Sequence, residues 1–108
     1  NMTQAELAGV PVGTYVFSTA TNTETALKEA KLAISKMDGY KVSYPVVYDL
    51  EYSGMQKLSS TEISRLALTF CNEVRKAGYY PMVYCNTYWH DTYVDWSLLP
   101  GVDVWIAR

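Results

Sequence analysis

The sequence predicts an α/β fold, with parallel strands joined by crossover helices, as a piece of a larger α/β barrel domain. Three observations lead to it. Short β-branched and aromatic runs alternate with helical periodicities, in the order strand, helix, strand, helix, strand, the signature of a parallel sheet with right-handed crossovers. The run at 44–54, YPVVYDLEYSG, is an apolar strand that ends in two carboxylates, and in parallel sheets the working groups collect where strands finish. Lastly, four parallel strands cannot close on themselves and the sequence stops directly after one, so both lateral strands would present bare edges open to self-association. The expectation is a single partial domain over residues 1–108.

Taken in order, residues 1–9 read as the tail of a helix, with Ala5, Leu7 and Ala8 as formers and Gly9 as its stop. Val10–Ser18 reads as a strand carrying Gly13, Tyr15 and Phe17 on one face and Val12, Thr14 and Val16 on the other. A helix is predicted from about Thr23 to Met37, because Leu27, Ala30, Ile34 and Met37 recur at helical spacing and Asp38-Gly39 follows. Pro45 can open the next strand, where a missing backbone donor is tolerated. Val46, Val47 and Tyr48 are strand formers, and Ser53-Gly54 closes the run. The strongest helix signal comes next: Ser59 and Glu62 fit a capping box. Ile63, Leu66, Ala67, Phe70, Val74 and Ala77 form its buried stripe, and Gly78 ends it. Pro81–Asn86 is a third strand with Met82, Tyr84 and Asn86 on one face. Thr87–Leu99 is irregular or a short helix, and Pro100-Gly101 turns into a fourth strand at Val102–Ala107.

Composition narrows the function. With 49% hydrophobic and 19% charged residues the chain is globular, and no run approaches the length of a membrane span. The start, Asn1-Met2-Thr3-Gln4, lacks the basic-then-apolar order of a signal peptide. Nine basic and eleven acidic residues give a charge of −2 with no Lys/Arg cluster, which argues against nucleic acid as a partner. Ten Tyr and three Trp suit a surface that stacks on sugar rings, although a half-buried core accounts for tyrosines equally well. Cys71 and Cys85 match no metal spacing and read as small buried hydrophobes, on a helix and on the strand that follows it. His90 is the only histidine. Without a partnered Ser or Cys motif it reads as a surface residue, so neither a hydrolytic triad nor a zinc site is expected, and no cofactor.

The chemistry therefore rests on Asp49 and Glu51. Strand alternation puts them on one face with Val47, their α-carbons roughly 6.6 Å apart, so each charge shifts the other's pKa. Such a pair can keep one carboxyl protonated near neutral pH while the other stays ionised. The bland alternative is a solvated strand end or an ion pair. Phe17, Tyr84, Asn86 and Trp105 fall at the same end of the sheet.

Several of these strands resemble those of glycoside hydrolase family 25, the muramidases. Gly9–Phe17 is similar to the family's G-x-P-x-G-x-Y-x-F strand, and Pro45–Glu51 to its D-x-E strand. Pro81–Tyr84 through Trp89, then Val104–Ala107, are similar to its P-x-x-Y and W-I-A strands. The resemblance spans essentially the whole chain. It implies a (β/α) TIM-like barrel, of which residues 1–108 hold about strands three to six. It also implies hydrolysis of the β-1,4 bond between N-acetylmuramic acid and N-acetylglucosamine in peptidoglycan glycan strands, outside the cell or at its wall. Glu51 would be the general acid and Asp49 the ionised stabiliser, while an aspartate on the first barrel strand and an acid near the last lie beyond this sequence. Tyr15, Phe17, Tyr84, Asn86 and Trp105 would line the sugar groove, Tyr15 as a groove tyrosine able to bond a sugar or an acid. Trp89 fits equally well beneath a loop. Two other readings stay open: a truncated sugar-binding or structural fragment, and a chitinase-like glycosidase. The latter is weakened by Val47, which stands where those enzymes usually carry a further aspartate.

Overall fold

A computed structural model describes residues 14–37 and 45–107. The helix tail at 1–9, the first residues of the opening strand and the Asp38-Gly39 stop lie outside the described residues. Within them, four parallel strands stand in chain order: β1 (Thr14–Phe17), β2 (Val46–Asp49), β3 (Pro81–Asn86) and β4 (Asp103–Ala107). Tyr15 is level with Val47, Asp49 with Tyr84, and Tyr84 with Trp105. Helices α1 (Thr23–Met37), α2 (Ser60–Lys76) and α3 (Thr87–Thr92) make the three crossovers. This is a small α/β domain of the kind a (β/α) barrel is built from.

The two long helices follow local rules. At the start of α2 the Ser59 side chain accepts from the Glu62 N–H at 3.1 Å, and the Glu62 carboxylate accepts from the Ser59 N–H at 3.1 Å, so the expected capping box is complete. Ala77 caps the other end and Gly78 takes φ 92°, a left-handed turn that suits glycine. Ile63, Leu66, Ala67, Phe70 and Val74 are buried as expected, joined by Ser64 and Cys71, whereas Ala77 is exposed beyond the last turn.

The inward face of α1 differs from expectation. Ala26, Ala30, Ala33 and Met37 are fully buried, while Leu27 and Ile34 are only half-buried. Helix α1 packs chiefly on α2, and alanines let the two backbones approach where leucine and isoleucine would hold them apart. The larger side chains are displaced to the margin of the contact.

The core lies between the sheet and its helices. Val46, Tyr48 and Leu50 from the β2 run, with Val83 and Cys85 from β3, meet Phe70, Cys71 and Val74 of α2. Tyr48 stacks on Phe70 with ring centroids 3.9 Å apart. The β3-to-β4 connection is pinned by polar contacts: Asp95 N–H donates to Ser64 Oγ at 2.8 Å, and Trp96 Nε1 donates to the His90 carbonyl at 2.9 Å. Trp89 is buried among these residues, so of its two expected places it occupies the one beneath the loop.

Candidate active site

The opposite face of the sheet carries the site. Alternation along β3 buries Pro81, Val83 and Cys85 and leaves Met82, Tyr84 and Asn86 half-exposed, so Tyr84 stands away from the helices. The register sets Tyr15, Asp49, Tyr84 and Trp105 on that same face. Tyr15 and Tyr84 meet edge to face at 6.3 Å, and Tyr84 and Trp105 do so at 5.4 Å, forming a row of rings from β1 to β4. Phe17, level with Asp49, is 48% exposed at the β1 end of the row.

Asp49 is the last residue of β2 and only 2% exposed. Its backbone is held from both sides: Ser18 N–H donates to the Asp49 carbonyl at 3.0 Å, and Leu50 N–H to the Tyr84 carbonyl at 2.9 Å. Its Oδ2 accepts a hydrogen bond from the Tyr15 hydroxyl, while Oδ1 is buried with no partner among the described residues. Burial pushes the carboxyl up to about 7; the Tyr15 hydrogen bond opposes this and the neighbouring Glu51 reinforces it. Burial and the adjacent carboxylates also raise the Tyr15 phenol, which stays a donor at all ordinary pH.

Glu51 does not continue the strand. Pairing stops at Asp49, Leu50 turns into the helix-side core, and Glu51 lies half-buried on the segment that enters the turn Ser53–Met55. Its charge nevertheless helps to raise Asp49, Tyr15 and Tyr84. The resemblance implied an ionised Asp49, and burial raises its carboxyl. The reason is enclosure, since Asp49 sits inside the sheet's last rungs and Glu51 beyond them. Tyr52 next to it folds over Gly54, where a β-carbon would overlap its ring.

Asn86 plays a structural part, because its Oδ1 accepts from the Trp89 N–H at 2.8 Å and caps α3. Cys71 and Cys85 are free and buried, both thiols pushed up to about 12 by burial. His90 stacks on Trp96 at 4.8 Å and contacts Asp91, remote from the carboxyl pair in sequence and bound up with its own loop. No group of metal-ligating side chains is found among the described residues. A further polar cluster was not anticipated: Glu29 of α1 accepts from the hydroxyls of Tyr48 and Ser18 behind the sheet. The one signal available was Glu29's position beside Ala30 and one turn from Ala26 and Ala33, on the inward stripe of its helix.

A parallel α/β sheet that presents two neighbouring carboxyls at a strand end, with a row of aromatic rings on the same sheet, has the layout of a carbohydrate-active hydrolase. The sequence model of glycosyl hydrolases family 25 matches residues 1–108, and the chain belongs to that family, among the glycosidases. No curated protein and no solved structure matches it.

Proposed function

We propose that the chain is part of the catalytic domain of a muramidase, cleaving the β-1,4 bond between N-acetylmuramic acid and N-acetylglucosamine in peptidoglycan. The observation that supports this most is the Asp49–Glu51 pair set against Tyr15, Tyr84 and Trp105. The flat faces and edges of these rings suit sugar rings, and Phe17 extends the same surface. The remaining strands of a (β/α) TIM-like barrel, with the first-strand aspartate and the acid near the last strand, would complete the groove. The same reading covers the exposed edges of β1 and β4, each of which has one neighbour among the described residues.

The two carboxyls divide the work by position. Burial holds a proton on the pair up to near neutrality. Glu51, outside the last rung and half-exposed, is the member able to reach a glycosidic oxygen and give it a proton. Asp49, enclosed and fixed by Tyr15, is left negative as Glu51 takes up the shared proton. Positive charge building on the sugar in the oxocarbenium-like state favours that distribution. A protein with this activity would act outside the cell or at its wall.

The test is turbidity of a peptidoglycan suspension, with the full-length protein and its Glu51→Gln variant. The parent should clear the suspension, and the variant should sediment with the walls without clearing them. Clearing by Glu51→Gln refutes the acid assignment. A parent that sediments without clearing is a glycan binder, and one that degrades chitin in preference to walls has another substrate.

A further inference from the structure

Behind the catalytic strand lies a polar cluster that the chemistry above does not use. Glu29 is in the middle of α1, yet its carboxylate reaches the sheet. Oε1 accepts from the Tyr48 hydroxyl at 2.6 Å and from Ser18 Oγ at 2.9 Å, and Oε2 accepts from the Thr19 N–H at 3.0 Å. Ser18 Oγ also lies 2.7 Å from the Tyr48 hydroxyl and accepts from the Ala20 N–H at 3.2 Å. Ser18 and Tyr48 are fully buried. Burial and the Glu29 hydrogen bond raise the Tyr48 phenol, so it remains a donor.

The cluster grips both segments that place Asp49. Ser18 is the residue whose N–H closes the last rung onto the Asp49 carbonyl, and Tyr48 precedes Asp49 and points to the opposite face. A carboxylate bonded at once to the β1–α1 loop and to the Tyr48 side chain fixes the end of β1 relative to the end of β2. It thereby fixes the peptide from which the Asp49 side chain projects toward Tyr15. We infer that Glu29, acting through Tyr48 and Ser18, is a positioning residue for the Asp49–Glu51 pair. This rests on Asp49 belonging to the active site. The ionisable groups facing the two ends of the device are Cys71 of α2 at Tyr48, and Tyr15, Glu51 and Tyr84 at Asp49.

Two variants of the full-length protein test it. Tyr48→Phe keeps the ring stacked on Phe70 and deletes only the hydroxyl. Glu29→Gln keeps the size but turns an amide donor onto one of the donors that the carboxylate accepts. A carbon-NMR titration of the Asp49 carboxyl is read beside wall clearance and the unfolding midpoint. Both variants should stay folded and move the Asp49 midpoint from about 7 toward the ordinary carboxylate range. The kcat of wall clearance should fall about 10-fold to 100-fold, with KM within about 2-fold. An unchanged Asp49 midpoint in folded variants overturns the inference, whether activity holds or falls in step with stability. If the parent protein clears no walls, the muramidase reading fails, and the Asp49 midpoint still decides this one. If Tyr48→Phe does not fold, Glu29→Gln carries the test.

Discussion

Replacing Asp49 by asparagine should make the chain more stable above neutral pH, a counterintuitive outcome for a residue of the proposed active site. In the fold the Asp49 carboxyl sits at about 7 against an ordinary 3.8, because it is 2% exposed and beside Glu51. A raised carboxyl favours the fold in its protonated form. That contribution is fully present below the unfolded value of 3.8 and is lost as pH rises through about 7. Each step of one in pKa corresponds to about 1.4 kcal/mol, so the loss has a ceiling of about 4 kcal/mol; sharing of the proton with Glu51 brings it to about 2 kcal/mol. Asparagine keeps the shape and an oxygen for the Tyr15 hydroxyl but cannot ionise. Urea unfolding of parent and Asp49→Asn at about pH 4 and about pH 8.5 isolates the effect, because titrating groups that do not interact with Asp49 cancel in the double difference, leaving Asp49 and its neighbours Glu51 and Tyr15. The variant should gain about 2 kcal/mol on the parent between the two conditions. A double difference below about 0.5 kcal/mol, or one of opposite sign, would show that Asp49 is not held protonated by burial.

Tyr15→Phe removes the donor that opposes the rise in Asp49, so the carboxyl midpoint should climb above about 7, by roughly 1 on the pH scale; a fall in a carbon-NMR titration would contradict the hydrogen-bond assignment. Ser59→Ala breaks the capping box of α2 and should cost about 1 kcal/mol in urea unfolding, with an unchanged denaturant slope. No loss would mean that the helix start is held by packing instead.

Much of the chain is legible because its signals are local. The helical period of α1 and the Ser59–Glu62 box depend on residues three or four positions apart. Faces of the strands follow from alternation, which is why Tyr15 and Phe17, or Met82 and Tyr84, could be grouped before their neighbours were known. What could not be read depends on distance. The inward face of α1 rotated toward its alanines because α2 arrived on that side. Asn86 became a helix cap once the chain turned directly from β3 into α3.

The order of strands and helices, and the two carboxylates at a strand end, follow from the amino-acid order alone, since hydrophobic period, caps and turns are written within a few neighbouring residues. What encloses Asp49, and what braces it, is settled only in three dimensions. Asp49 is enclosed by strands contributed from 34 residues upstream at Tyr15 and from Tyr84 on β3, and Glu29 reaches Tyr48 across 19 residues. A pKa depends on everything that surrounds the group in space, and that surrounding exists only after the sheet has formed.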